Sequence, residues 1–291
     1  MKNYQFHLVN VFAETHFGGN PLAVFPHADG LNDEQMQAIA KQFNLSETVF
    51  IFPPTDLHGI EHDKKAVANL RIFTPNYEMP LAGHPTLGSA FILHKLNSLP
   101  NEFTLNTLAK PVSVQVNDNH VTLQIRGYDY QQIVSDNKTL AKIFGISESD
   151  IYDTGYFINS GTRQLLIQLT NVQVLQNIHV DLAGLRQVYA DNGLGNVDGV
   201  DAYFWVADGE IIHSRLFFEQ NKIMVEDSGT GSACANLGAY HLMKNLHPVN
   251  VTIHQGDYMG RPNRLTLQVD SEENILVGGK VIEVGKGEFY L

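Results

Sequence analysis

Polar and apolar residues alternate from the first residues of the chain, which predicts a strand over residues 4–12 and, after the Gly18-Gly19-Asn20-Pro21 turn, a second over 22–25. The period then lengthens. Met36, Ile39, Ala40 and Phe43 recur at helical spacing, Asn32 or Asp33 can cap that helix, Asp33 and Glu34 suit its first turn, and Asn44 closes it. Strands are expected over 49–52 and 69–73. Residues 84–96 then predict a helix with one buried stripe of Leu87, Ala90, Phe91 and His94 or Lys95, with Gly88, Ser89 and Ala90 small enough for tight packing. A hairpin of 112–116 with 121–125 turns at Asn117-Asp118-Asn119.

The second half repeats this plan. Residues 202–206 and 210–218 form a hairpin across Asp208-Gly209, a helix is expected from 230 to about 246, 251–254 is a strand, and 265–269 with 275–277 is a terminal hairpin. The shared order of strand, glycine-bearing helix opening, helix and hairpin indicates duplication. Its register stays open, because aligning Arg71-Ile72-Phe73 with Arg215-Leu216-Phe217 and aligning the glycines give offsets that differ by two. Residues 128–155 read as the crossover, and 281–291 as a return to the first domain. The division expected is therefore 1–126 plus 280–291, and 127–279; a length of 291 residues suits two domains.

The two helix openings, Pro80-Leu81-Ala82-Gly83-His84-Pro85-Thr86 and Glu226-Asp227-Ser228-Gly229-Thr230-Gly231-Ser232, are where chemistry is expected. The first N–H groups of a helix lack intrahelical partners and sit at the positive end of its dipole, and glycine lets a ligand approach the backbone. Two such openings facing one cleft would hold an anion.

Composition narrows the function classes. With 43% apolar and 17% charged residues the chain is an ordinary globular protein. A formal net charge of -12 argues against nucleic acid, whose phosphates need clustered Lys and Arg. The single cysteine, Cys234, cannot form an internal disulfide, and neither a signal-peptide pattern nor an apolar run of about 20 residues is seen, so a cytoplasmic location with no membrane partner is expected.

Glu47, in Leu45-Ser46-Glu47-Thr48-Val49, is the candidate proton-moving carboxylate. On a strand it shares a face with Val49 and Ile51, where desolvation favours the protonated acid; the alternative is a strand-edge carboxylate in water. His84 is either a capping or packing residue or a neutral hydrogen-bonding one, since a helix N-terminus disfavours imidazolium. Asp227 reads equally as an N-cap, Ser232 as a small packing residue, and Cys234 as a buried small hydrophobe. His58 and His62 have metal-ligand spacing, but Gly59 and two preceding prolines argue for a loop, so no metal site is expected. Gly229-Thr230-Gly231-Ser232 is neither a nucleotide phosphate loop nor a dinucleotide fingerprint, and no Gly-x-Ser-x-Gly elbow is present.

Phe17-Gly18-Gly19-Asn20-Pro21-Leu22-Ala23-Val24, Leu45-Ser46-Glu47-Thr48, Arg71-Ile72-Phe73-Thr74-Pro75, Ala82-Gly83-His84-Pro85-Thr86, Glu226-Asp227, Thr230-Gly231-Ser232-Ala233, Gln255-Gly256 and Gly260-Arg261-Pro262 together resemble the PhzF-like phenazine-biosynthesis family. The resemblance implies an α+β, diaminopimelate epimerase-like fold. In it, two pseudo-symmetric α/β domains each wrap a sheet around a central helix, with the active site in the cleft between them. It further implies an isomerase moving a proton between carbons of a small, cyclic, carboxylate-bearing metabolite, without cofactor or metal, and a homodimer. By motif position Glu47 is the general acid/base, His84 and Asp227 support catalysis, and Asn20, Gly83, Gly229, Thr230, Gly231 and Ser232 bind the substrate. The family's Glu-Asp-Pro segment reads Glu226-Asp227-Ser228 here, which bears on substrate identity. Related epimerases place a cysteine where Ser228 stands, so a two-thiol racemase is disfavoured. The rival function is a non-catalytic protein that binds a small carboxylate.

Overall fold

The computed structural model describes residues 2–54, 63–197 and 199–291. The chain divides into two compact units, Met1–Ile125 with Leu276–Leu291, and Arg126–Ile275. The return to the first unit thus begins at Leu276, ahead of the expected residue 280, because one uninterrupted strand carries the chain back.

In the first unit β1 (Asn3–Val11) pairs antiparallel with β2 (Asn20–Phe25). Helix α1 (Asp33–Phe43) leads to β3 (Glu47–Phe52), parallel to β2 and antiparallel to β4 (Ala68–Phe73). A short β5 (Glu78–Met79) folds back on β4 and leads into α2 (Gly83–Asn97). Then β6 (Glu102–Asn106) lies parallel to β4, and β7 (Pro111–Asn117) and β8 (His120–Ile125) complete an antiparallel meander. Helix α1 behaves as its pattern predicts: Asn32 and Gln35 form a reciprocal capping box and Met36, Ile39 and Ala40 are buried on one face. Helix α2 does not show the single stripe expected of it. His84, Pro85, Thr86, Leu87, Gly88, Ser89, Ala90, Ile92 and Leu93 are all buried, because β1, β2, β3, β7 and β8 pack around it. Gly88 permits this: a Cβ there would meet Leu22 Cδ2 at 2.5 Å.

In the second unit β9 (Asp129–Gln132) pairs antiparallel with β10 (Tyr156–Asn159), with α3 (Asn137–Phe144) between them in sequence. Residues 128–155 are therefore not a bare crossover. Leu140, Ile143 and Phe144 of α3 enter the unit's core with Leu165, Ile167 and Phe204, which gives that segment its own burial to drive folding. Next come β11 (Arg163–Gln168), α4 (Val172–Gln176), α5 (Leu182–Asp191), β12 (Asp201–Asp208), β13 (Ile211–Gln220) and β14 (Ile223–Asp227). Helix α6 (Gly231–Met243), β15 (Val249–Gln255) and β16 (Asn263–Val269) follow. Helix α6 ends at Met243, short of the expected 246, and like α2 it is buried almost all round. The expected strand 275–277 and the returning segment 281–291 are one strand, β17 (Ile275–Tyr290), which runs antiparallel to β1 from Asn3↔Tyr290 to Val11↔Val281. Among the described residues no helix is long and apolar enough to cross a membrane.

The duplication can be read strand by strand. In the first unit β1·β2 is antiparallel, β2·β3 parallel, β3·β4 and β4·β5 antiparallel, β4·β6 parallel and β6·β7 antiparallel. The series β10, β11, β12, β13, β14, β15, β16 pairs in the same directions. Phe73 opposes Thr48 and Glu78, whereas Phe217 opposes Ala202 and Glu226. Gly83 and Gly231 each open a helix. This settles the open register: the β13–β14 hairpin arm is longer than β4–β5, and beyond it Pro80 to Thr86 corresponds to Ser228 to Cys234. His84 is thereby the counterpart of Ser232, and Glu47 the counterpart of Asp201.

Candidate active site

In the first unit the candidate residues stand on β3 and α2. Glu47 is the first residue of β3, paired with Leu22, and Val49 and Ile51 on its face are 0% and 3% exposed. His84 is the second residue of α2, whose N-cap, Ala82, offers no side chain to the opening. His84 Nε2 lies 3.1 Å from Glu47 Oε2, and the two side chains are 7% and 14% exposed. Burial lowers the His84 pKa to about 3, so the imidazole is neutral. Asn20, the first residue of β2, is buried beside Val11 in the β1·β2 register. Gly83 is the first residue of α2, and Thr86 donates its N–H and hydroxyl to the Ala82 carbonyl at 3.2 and 2.8 Å, which closes the first turn.

An arginine fixes the loop before this opening. Arg71 of β4 donates to both carboxylate oxygens of Glu78, with Nη2 to Oε2 at 2.7 Å, and Nη1 reaches Asp33 Oδ1 at 3.0 Å. Its guanidinium lies 5.4 Å from the Phe73 ring centre. A planar fork gripping one carboxylate at two points fixes both position and angle, as a single ammonium would not.

The second unit repeats the device. Arg215 donates from Nε and Nη2 to Glu226 at 2.9 and 2.7 Å, and its Nη1 donates to the Leu175 and Gln176 carbonyls at 3.1 and 2.9 Å. Asp227, the last residue of β14, is not the N-cap of α6; that position is Thr230. The Asp227 carboxylate instead accepts a hydrogen bond from the Thr230 hydroxyl and a long one, 3.5 Å, from the Gly229 N–H. Gln255 completes a ring: its Oε1 accepts the Thr230 N–H at 3.1 Å, and its Nε2 donates to the Asp227 carbonyl and to Thr230 Oγ1, both at 2.9 Å. Gly229 has no room for a side chain, since a Cβ would stand 2.2 Å from Asn263 Oδ1. Gly256 is equally constrained, with φ +78° and a would-be Cβ 2.6 Å from the Ser228 carbonyl oxygen.

Gly231 is the first residue of α6 and Ser232 the second. Ser232 Oγ accepts from Gln164 Nε2 at 3.3 Å, Gln164 Oε1 accepts from Asn236 Nδ2 at 2.9 Å, and Asn236 Oδ1 accepts from the Ser160 N–H and hydroxyl at 2.8 and 2.7 Å. Asp201, the counterpart of Glu47, accepts from the Tyr189 hydroxyl at 2.9 Å, and desolvation pushes its pKa up to about 7. Cys234 is fully buried and burial raises its thiol pKa, the state of an inert core residue.

Glu47, His84, Asn20 and Gly83 thus belong to the first unit, and Asp227, Gly229, Thr230, Gly231 and Ser232 to the second. His58 and His62 lie outside the described residues. Sequence reasoning gave no role to Gln255, Gln164, Asn236 and Asp201, nor to the two Arg–Glu pairs. Gln255 had a signal, a polar residue before Gly256 at the end of an apolar strand. Gln164 and Asn236 had none, because their partners are 68 to 76 residues away, whereas Arg71, Arg215 and Glu226 stood in the quoted motifs without a role.

Similarity to known proteins agrees with this architecture. The phenazine biosynthesis-like protein family matches residues 9–287. The chain is 48% identical over 289 residues, 99% of it and 94% of the relative, to a protein of Pasteurella multocida named as an uncharacterized isomerase. It is 30% identical to a trans-2,3-dihydro-3-hydroxyanthranilate isomerase of Pseudomonas fluorescens, with both chains wholly covered. A PhzF-family phenazine biosynthesis protein of Bacillus anthracis, 23% identical, superposes with a TM-score of 0.82 over all of both chains and shares the fold, which is diaminopimelate epimerase-like. With a matched segment that runs nearly from end to end, the chain belongs to the phenazine biosynthesis-like, or PhzF, family.

Proposed function

We propose that the protein is an isomerase that moves a proton between carbon atoms of a small, cyclic, carboxylate-bearing metabolite, with Glu47 as the general acid/base. The observation that carries this reading is the buried approach of neutral His84 to Glu47, 3.1 Å between Nε2 and Oε2. The Glu47 carboxylate takes a proton from a C–H bond, the electron pair enters the adjoining π system, and the resulting carboxylic acid returns the proton to another carbon of that system. His84 orients the carboxyl without adding a positive charge. A positioned acid/base of this kind supplies roughly 10²- to 10⁴-fold in rate. In the second unit the N–H groups at Gly231 and Ser232, with the Ser232 hydroxyl, suit a carboxylate, and Asp227 holds Thr230 in place at that opening. Relatives named as trans-2,3-dihydro-3-hydroxyanthranilate isomerases support a dihydro-hydroxyanthranilate or a close analogue as the substrate class.

The test is deuterium entry into carbon positions in D₂O, followed by NMR, with dihydro-hydroxyanthranilate and related cyclic acids. Incorporation by the wild type that is lost in Glu47→Gln is the expected result. Full incorporation by Glu47→Gln refutes the mechanism. One observation favours a second reading, a protein that binds a carboxylate without turning it over: Ser228 stands, buried, where the family's proline stiffens the loop. Tight binding without exchange in the wild type would select that reading.

A further inference from the structure

His213 and His254 are register partners on the parallel strands β13 and β15. Their neighbours Ile212 and Ile253 are 1% and 0% exposed and face the core, so the alternation of a strand turns both imidazoles outward, with ring centres 5.4 Å apart. Asp257, in the 3-10 turn Asp257–Met259 that follows β15, brings a carboxylate to the same place, and one ligand atom from each of the three lies within 4.8 Å of the others. Arg264 holds one oxygen of that carboxylate, Oδ1, at 2.9 Å. Asp208 Oδ2 stands 3.8 Å from His213 Nε2 and adds a second carboxylate beside the pair.

We propose that His213, His254 and Asp257 form a site for a divalent transition-metal ion of the zinc class. Two imidazoles and a carboxylate are a donor set that zinc favours, and bonds of about 2.0–2.2 Å bring such ligands closer together than they now stand, within reach of side-chain rotation. Water or Asp208 completes the shell. An ion here ties β13 to β15 and to the turn after it. His254 and Asp257 bracket Gln255, whose side chain points the other way and holds Thr230 and Asp227. The site therefore stiffens the support of the α6 opening from behind, and it stands whether or not the isomerase reading does.

The test is calorimetric titration of chelator-stripped full-length protein with Zn²⁺ alone, in a His58→Gln/His62→Gln background that removes the sequence's other closely spaced histidines. The expected result is one equivalent bound, with loss in His213→Ala and in His254→Ala greater than the roughly 10- to 100-fold that outer partners alone contribute. Asp257→Asn should weaken binding while circular dichroism of every variant matches the parent. Zn²⁺ should also raise the melting temperature of the parent and not of the histidine variants. Equal affinity in parent and both histidine variants, or no binding by the parent, overturns the proposal.

Discussion

His84 Nε2 stands 3.1 Å from Glu47 Oε2 while burial holds the imidazole uncharged, so the two form a neutral imidazole against a carboxyl group and not an ion pair. Protonating that histidine is costly, because the cation would be desolvated. The folded pKa, about 3, lies below the ordinary 6.5, so between those values the unfolded chain binds more protons than the folded one. Stability should fall as pH drops from 6.5 towards 3, by at most about 1.4 kcal/mol per pH unit from this group. Urea midpoints measured across that range should show a shallower decline in His84→Asn; an unchanged slope would mean that His84 titrates normally.

Asp201 has the opposite sign. Its carboxyl is pushed up to about 7 from 3.8, so the folded state holds the extra proton and stability should decrease as pH rises between these values. In Asp201→Asn this fall should vanish while the Tyr189 hydroxyl retains an acceptor. The same urea series, read from about pH 4 to 7, decides it.

The Arg215–Glu226 pair has both side chains about a tenth exposed, 11% and 12%. Glu226→Ala leaves a largely buried guanidinium without a carboxylate, held by the Leu175 and Gln176 carbonyls and the Phe217 and Tyr258 rings, and should cost roughly 3 kcal/mol, the low end for breaking a buried pair. Replacing both, as Arg215→Met with Glu226→Leu, should recover most of that loss. A double variant as unstable as the single one would show that the pair does more than satisfy its own charges.

Gly229→Ala should be far more damaging than Gly199→Ala. At Gly229 the new methyl would meet Asn263 Oδ1 at 2.2 Å and force that buried side chain to move, whereas at Gly199 the nearest atom is 3.5 Å away. Overpacking of this kind costs about 1–3 kcal/mol. Carboxylate affinity should fall in step with thermal stability in Gly229→Ala, and both should stay near wild type in Gly199→Ala.

Much of the fold was legible because period and punctuation agree: α1 has its capping box, the hairpin turning at Asp208-Gly209 is as expected, and Glu47 does begin a strand. What escaped depends on tertiary wrapping. Leu87, Ala90 and Phe91 mark a stripe, but nothing local says that a sheet will also cover Thr86, Ser89 and Ile92. The same holds for the candidate residues. Glu47 and His84 stand out by motif, whereas Gln164, 68 residues from Ser232, and Asp201, 12 residues from Tyr189, acquire their meaning only from strand register. Glycine spacing also misled the alignment of the two halves, since the extra length of the β13–β14 hairpin lies between the Arg-x-Phe strand and the helix opening.

Strand β17 has a consequence for how the chain is made. Lys2 and Leu291 exchange backbone hydrogen bonds at 2.8 and 2.9 Å, and β1 is paired with β17 along its whole length. During synthesis the second unit has all its strands once residue 275 has emerged, while β1 waits for residues 281–290. The first unit, whose N-terminal strand is made before the second unit, therefore closes after it, and β1 stays unpaired on one side until residues 281–290 have followed. Truncation between residues 276 and 281 would leave that strand as an open template for aggregation, while the second unit stands complete.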